Sequence, residues 1–369
     1  MRLMTAAIDA ARPFVTRTGG ALLINLHSHL EGRVRPETAA QVARELGLPD
    51  ADRDWAQALQ LERPADLTEY LVKVVSSFPL FSRLDYLERI AREAVEDAAA
   101  DGEDYLELRF GPASHVSGGD LDAVIAAVCR GVADGAAATR MPAGVVVAAL
   151  RSDPTEANEA VARAAARAAG RGVVGFDLAG DEKRFPELER YVDAFAIAGS
   201  AGLGLTCHAA EAAPGRAAVE AVELLGATRI GHGARIAREP GLMEWFVERG
   251  IAIEVCPTSN LYTGAVDSLD DHPAARIARA GVRLVLGDDN PRQTGSLLSR
   301  EAEVLREDLG FDDQLMRRMA EDSVAAAFVD ESTRRGWRDR LVSADGGDVA
   351  ALRDIVADGG ENGAARAGG

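Results

Sequence analysis

The sequence predicts an α/β fold: a single (β/α)8 TIM barrel with a helical insertion after strand 1 and extra C-terminal helices. Short apolar or β-branched runs alternate with longer Ala/Leu/Glu/Arg stretches of helical spacing, the rhythm of a parallel sheet. There are eight such runs, which favours a closed barrel over an open, doubly wound sheet. Three of the runs end in a histidine, and those ends supply four of the six histidines in the chain. In a barrel of this kind the strand C-termini form one mouth, where catalytic groups collect.

Taken in order, residues 1–20 have weak patterning and read as a leading arm, residues 21–342 as the barrel, and residues 343–369, rich in Gly, Ala and Asp, as a disordered tail. The strands are expected at Leu22–His27, Asp104–Phe110, Gly144–Leu150, Gly172–Leu178, Leu203–His208, Thr228–His232, Ile251–Cys256 and Val282–Gly287. Helical spacing marks Pro36–Leu46, Tyr86–Ala100, Leu121–Ala137, Glu156–Ala169 and Arg216–Leu225 between them. The stretch from His27 to Asp104 is too long for one crossover, so it must hold further helices, including Leu67–Val75. Two or three helices should follow the last strand, through about Arg340.

Bulk properties narrow the function. Of 369 residues, 47% are apolar, enough for a large core, and the formal net charge is −18. That charge argues against nucleic acid as a partner, because phosphate contacts need clustered Lys and Arg. Cys129, Cys207 and Cys256 form no CxxC pair and no disulfide framework, which suits a reducing compartment. With no signal core at the N-terminus and no apolar run of about 18 residues, a cytoplasmic protein without a membrane segment is expected, as a monomer or homodimer.

The chemistry sits at the strand ends. His27 and His29 are two apart on an extended segment, so their side chains point the same way. His208 closes the fifth strand, His232 the sixth, and Asp288-Asp289-Asn290-Pro291 follows the eighth. Two histidines from the first strand, one from the fifth and one Asp from the end of the eighth suit one zinc or similar divalent ion per chain, which would lower the pKa of a water. Glu211, in His208-Ala209-Ala210-Glu211, is placed to shuttle protons to a substrate nitrogen, and His232 to orient the hydroxide. A lone His-x-His is weak, since histidine often fills turns and strand ends, and a lone Asp-Asp pair usually caps a helix. The joint placement at barrel-strand ends carries the reading. His115 and His272 read as structural, the latter at a helix start before Pro273. Arg109 and Arg151, at the ends of the second and third strands, either face the site or brace it.

These segments resemble the adenosine deaminase family of the amidohydrolase superfamily. The matching motifs are Leu26-His27-Ser28-His29-Leu30-Glu31-Gly32 followed by Arg35-Pro36-Glu37-Thr38, Asp177-Leu178-Ala179-Gly180-Asp181-Glu182, and His208-Ala209-Ala210-Glu211. Further on come Arg229-Ile230-Gly231-His232-Gly233, Cys256-Pro257-Thr258-Ser259-Asn260 with Thr263-Gly264, and Asp288-Asp289-Asn290-Pro291. The likeness runs from about residue 22 to 335. It implies zinc held by His27, His29, His208 and Asp289, and a proton given by Glu211 to purine N1. His232 and Asp289 would hold the hydroxide that attacks C6, and the Gly180 N–H would meet purine N3. The product would be a 6-oxopurine and ammonia. The insertion from Asp66 to Phe81 would form a lid, with an apolar stripe of Leu67, Tyr70, Leu71, Val74, Val75 and Phe78 that is mostly ordinary core.

Three positions depart from the family pattern. Asn290 stands where the family has an Asp that contacts purine N7; an amide can still donate there. Glu31 stands where adenosine deaminases carry an Asp against the ribose 5′-hydroxyl, and resembles enzymes acting on adenine or other 6-aminopurines. Ala210 replaces the usual Gly. The expected function is zinc-dependent hydrolytic deamination of a 6-aminopurine, adenosine or a related nucleoside. Adenine or a modified 6-aminopurine is the alternative substrate. An amidohydrolase acting on a non-purine is a second alternative, although the Lys that bridges paired metals in many such enzymes has no counterpart on the fourth strand: Lys183 lies beyond its end.

Overall fold

A computed structural model describes residues 22–115 and 119–344. Eight parallel strands run in sequence order around the sheet: β1 (Ile24–His29), β2 (Tyr105–Phe110), β3 (Ala143–Leu150), β4 (Val173–Ala179), β5 (Gly204–Ala209), β6 (Arg229–His232), β7 (Ala252–Val255) and β8 (Arg283–Leu286). The runs are almost wholly buried because helices cover the outer face and side chains fill the inner one. The seam between β8 and β1 is joined just past β8. The His29 N–H donates to the Asp289 carbonyl at 2.7 Å, and the Asp289 N–H to the His27 carbonyl at 2.9 Å. This pairing extends β1 through His29, so the first strand ends two residues later than its expected end at His27. Residues proposed as metal ligands thus also close the barrel.

Crossover helices follow the expected rhythm: Leu84–Asp101, Leu121–Thr139, Thr155–Ala168 and Arg216–Leu225. Pro36–Leu46 opens with Pro at its first turn and ends on Gly47 at φ 62°, a left-handed cap that costs glycine little. The insertion after β1 holds Pro36–Leu46, Trp55–Leu59 and Leu67–Val75 ahead of the crossover helix. After β8 come Leu298–Glu307, Asp313–Ala326 and Glu331–Ala344. Asp313–Ala326 packs on β8 and β1, and Val324, Trp337 and Leu341 share a cluster with Ile24 and Leu26. The last helix runs to Ala344, two residues past the expected end of the barrel at 342. The expected arm, 1–20, and residues 345–369 of the tail lie outside the described residues. No helix among the described residues is long and apolar enough to cross a membrane.

The barrel interior beneath the mouth is charged. Glu254 on β7 accepts from Arg109 (2.9 Å), Arg229 (2.7 Å) and the Thr206 hydroxyl (2.8 Å), while Arg229 also reaches Glu107 at 2.5 Å and Arg109 reaches Asp177 at 3.0 Å. All of these residues are buried, and buried charges persist only when paired in this way.

Candidate active site

The expected residues converge at the mouth. His27, His208, His232 and Asp289 each offer a ligand atom within 4.8 Å of the others. His29 sits beside them, its Nε2 3.2 Å from His208 Nε2 and 3.3 Å from Asp289 Oδ1. Five groups therefore compete for a four-ligand description. What stands behind each ring decides among them. His27 Nδ1 lies 2.7 Å from a Glu254 oxygen, and His208 Nδ1 lies 3.0 Å from an Asp177 oxygen. Carboxylates that can only accept fix both rings with the hydrogen on Nδ1, leaving an Nε2 lone pair for the site. His27 Nε2 is buried and has no hydrogen-bond partner, as a ligand atom would be. His232 is different: its Nδ1 faces the Asn260 amide nitrogen at 3.0 Å. That makes it an acceptor there and a poor fourth imidazole ligand. Three imidazoles and one carboxylate suit zinc or a similar divalent ion.

The local sequence makes this geometry possible. Gly287 leaves room for His27: a Cβ there would come within 2.4 Å of the His27 Cβ. Ala210, His232 and Asp289 hold φ of 55°, 64° and 57°, conformations that cost non-glycine residues of order 1–3 kcal/mol and gather at functional sites. For Ala210 this gives the physical reason a glycine is usual. Glu182 supports that loop, accepting the N–H groups of Ala210 (3.1 Å), Ala212 and Ala213 (2.7 Å). Asp289 turns Oδ1 toward the imidazoles, while its Oδ2 accepts from Tyr70 at 3.0 Å and Ser259 at 2.5 Å.

Glu211 is buried, with Oε2 3.7 Å from His232 Nε2 and Oε1 unpartnered. Burial, reinforced by the negative charges of Asp289 and Glu182, pushes its carboxyl well above the usual carboxylate range. Burial also pushes His232 well below its ordinary value, aided by the neighbouring His27, so it is a neutral imidazole at neutral pH. The site thus sets a carboxyl whose burial favours its protonated form beside a histidine whose burial favours its neutral form.

A cavity of ≈ 400 Å³ opens above these groups, lined by His29, Glu31, Gly180, Glu211 and Asn290 among others. Helix Leu67–Val75 spans one side. Its Leu67, Tyr70 and Val74 are buried, but Val75 of the expected stripe is 52% exposed. The Thr68 hydroxyl fastens the helix to Asp181 at 2.7 Å. Glu31 accepts at Oε1 from His115 Nε2 at 2.8 Å, and its Oε2 is buried without a partner. His115, expected to be structural, therefore stands directly behind a cavity residue. Asn290 gives an amide hydrogen to Asp289 Oδ1 at 2.9 Å, and its Oδ1 is unpartnered. Arg109 and Arg151 brace rather than face the site: Arg109 holds Asp177 and Glu254, and Arg151 donates to the His208 and Phe185 carbonyls at 2.9 Å each.

Of the supporting residues, Glu254, Asp177, Asn260 and Glu182 carried no assigned role in the sequence, His272 read as structural, and Tyr70 belonged to the apolar stripe of the lid. Two had a signal: Glu254 and Asp177 are acids within otherwise apolar strand runs, where only a partnered charge survives burial.

Comparison with known proteins agrees with this geometry. The family model described as adenosine deaminase matches residues 23–344. An adenosine deaminase of Shewanella denitrificans is 34% identical over 320 residues, 85% of this chain and 96% of that protein. Among solved structures, an amidohydrolase from Burkhoderia ambifaria with bound Zn is 26% identical at TM-score 0.81, covering 92% of this chain and 93% of that one. The N6-methyl-AMP deaminase from Arabidopsis thaliana is 27% identical at TM-score 0.76, covering 88% and 97%.

Proposed function

Because the chain belongs to the adenosine deaminase family, hydrolases acting on C–N bonds in cyclic amidines, we propose that it deaminates adenosine or a related 6-aminopurine nucleoside to the 6-oxopurine and ammonia. The observation that carries the proposal is the buried Glu211 carboxyl, 3.7 Å from His232 Nε2 at the edge of the cluster of imidazole and carboxylate groups. His27, His29, His208 and Asp289 would hold a divalent ion, with zinc the first choice because a relative of the same fold binds it. That ion would lower the pKa of a water so that hydroxide is available near neutral pH.

The chain's own groups supply the rest. Glu211 gives its proton to purine N1, which makes C6 electrophilic, and later helps the amino group leave as ammonia. His232 donates a hydrogen bond to the oxygen being added. The Gly180 N–H holds the purine at N3, and the second hydrogen of the Asn290 amide nitrogen, whose first goes to Asp289 Oδ1, is the one available to donate to N7. Tyr70, on helix Leu67–Val75, keeps Asp289 oriented and helps exclude water.

One observation leaves room for a second substrate. The unpartnered Glu31 Oε2 is an acceptor in the cavity wall. A ribose hydroxyl would satisfy it, and so would a ring N–H of free adenine. Formation of the 6-oxopurine by the zinc-loaded protein, followed by the change in purine absorbance across adenosine, 2′-deoxyadenosine, adenine and N6-modified adenosines, tests the proposal. Turnover fastest on the nucleosides is expected. Turnover of adenine alone would move the substrate to the free base, and silence on every purine would overturn the assignment.

A further inference from the structure

The role of His232 proposed above requires a hydrogen on its Nε2, and a neutral imidazole can place that hydrogen on either nitrogen. We propose that His272 and Asn260 are positioning residues that fix the His232 tautomer, so that Nε2 meets the reaction as an N–H donor. The inference rests on the reading of His232 given above, but its geometry is independent of the substrate.

The chain of reasoning starts at a backbone amide, which can only donate. The Ala274 N–H donates to His272 Nδ1 at 3.2 Å. His272 Nδ1 is therefore an acceptor, and the hydrogen of the neutral ring lies on Nε2. His272 Nε2 is 3.2 Å from Asn260 Oδ1, where donor meets acceptor. This contact sets which way the Asn260 amide faces, so Nδ2 must point to His232 Nδ1, 3.0 Å away. An amide nitrogen only donates. His232 Nδ1 accepts, and its hydrogen sits on Nε2, 3.7 Å from Glu211 Oε2.

The three residues are buried, at 2% for His232, 0% for Asn260 and 8% for His272, so water does not compete for these bonds. Burial also pushes His272 down to about 4, which keeps it neutral and able to accept from Ala274. The contrast with His27 and His208 gives the relay its meaning. Behind those rings stand carboxylates, which force Nδ1–H and leave a lone pair at Nε2. Behind His232 stands an amide held in the opposite polarity. Neighbouring histidines in one cluster are thus sorted into lone-pair donors and an N–H donor by what backs each of them.

Asn260→Asp tests this with nearly unchanged shape. Its carboxylate can only accept, so His232 must carry its hydrogen on Nδ1 and lose it from Nε2. Two readouts apply. In 15N-histidine-labelled protein, long-range 1H–15N spectra should show His232 as the Nε2–H tautomer in the wild type and as Nδ1–H in Asn260→Asp. The kcat on the best 6-aminopurine should fall about 10²–10³-fold, the size of losing one preorganised donor, with KM and bound metal nearly unchanged. His272→Gln, which can still donate to Asn260, should recover most of the turnover that His272→Leu loses. That pair decides the matter if Asn260→Asp does not fold. An Nδ1–H tautomer in the wild type, or equal turnover in His272→Gln and His272→Leu, would overturn the relay. The tautomer is read without substrate, so failure to deaminate any purine would sink the functional reading and leave the relay to be judged by the spectra alone.

Discussion

Asp177→Asn isolates what a buried carboxylate does for the proposed metal site. Asp177 lies behind His208, its Oδ2 3.0 Å from His208 Nδ1 and 3.0 Å from Arg109 Nη1, and is fully buried. Burial alone would raise its pKa, but His208 and Arg109 hold it well below the usual range, so it is charged. An asparagine oxygen in the Oδ2 position can accept from both neighbours, so the shape survives and the charge does not. A hydrogen bond to a charged acceptor contributes about 1.5–3 kcal/mol against about 0.5–1.5 for a neutral one, a difference of about 1–1.5 kcal/mol. At about 1.4 kcal/mol per factor of ten, metal should bind roughly tenfold more weakly. That sits at the lower end of the roughly 10–100-fold losses known for residues that support metal ligands. Competition with a chromophoric chelator measures the Kd directly. Unchanged zinc affinity in a folded Asp177→Asn protein would refute the assignment of His208 as a ligand oriented by Asp177.

Tyr70→Phe removes the hydroxyl that joins helix Leu67–Val75 to Asp289 Oδ2. Losing one charge-assisted bond should cost about 1.5–3 kcal/mol in chemical denaturation and raise KM more than it lowers kcat; unchanged values of both would show that the hydroxyl holds nothing. His272 should make folding sensitive to acid. It titrates at about 4 when buried against 6.5 otherwise, so between those values the unfolded chain binds a proton that the folded one does not. Stability is complete above 6.5 and falls as pH drops toward 4, by about 3 kcal/mol in all. The difference between wild type and His272→Gln, measured by denaturation at pH 7 and pH 4.5, isolates this from other groups, and a pH-independent difference would contradict it.

The barrel and its mouth were legible because they are written in local patterns. All eight strands lie within about two residues of their expected bounds, and His27, His29, His208, His232, Glu211 and Asp289 meet where the strand order puts them. β1 ended later than its apolar run because its last residues bond to the backbone at Asp289, a partner 260 positions away in sequence. The supporting residues were not legible for the same reason. Nothing near His232 in sequence reveals that Asn260 faces it or that His272 orients Asn260, since that contact depends on how the segments after β6 and β7 fold together. His115 reads as structural from the sequence, and that it backs Glu31 likewise depends on the fold.

The most direct test of the proposed chemistry is turnover by Glu211→Gln, measured as ammonia release with bound metal quantified in the same preparation. The glutamine keeps the shape of the buried group but cannot give up a proton as the Glu211 carboxyl can. Full metal content with turnover nearly abolished is the expected result. Wild-type turnover in the metal-loaded variant would contradict Glu211 as the group that protonates the purine, and with it the central claim of how this chain removes the amino group.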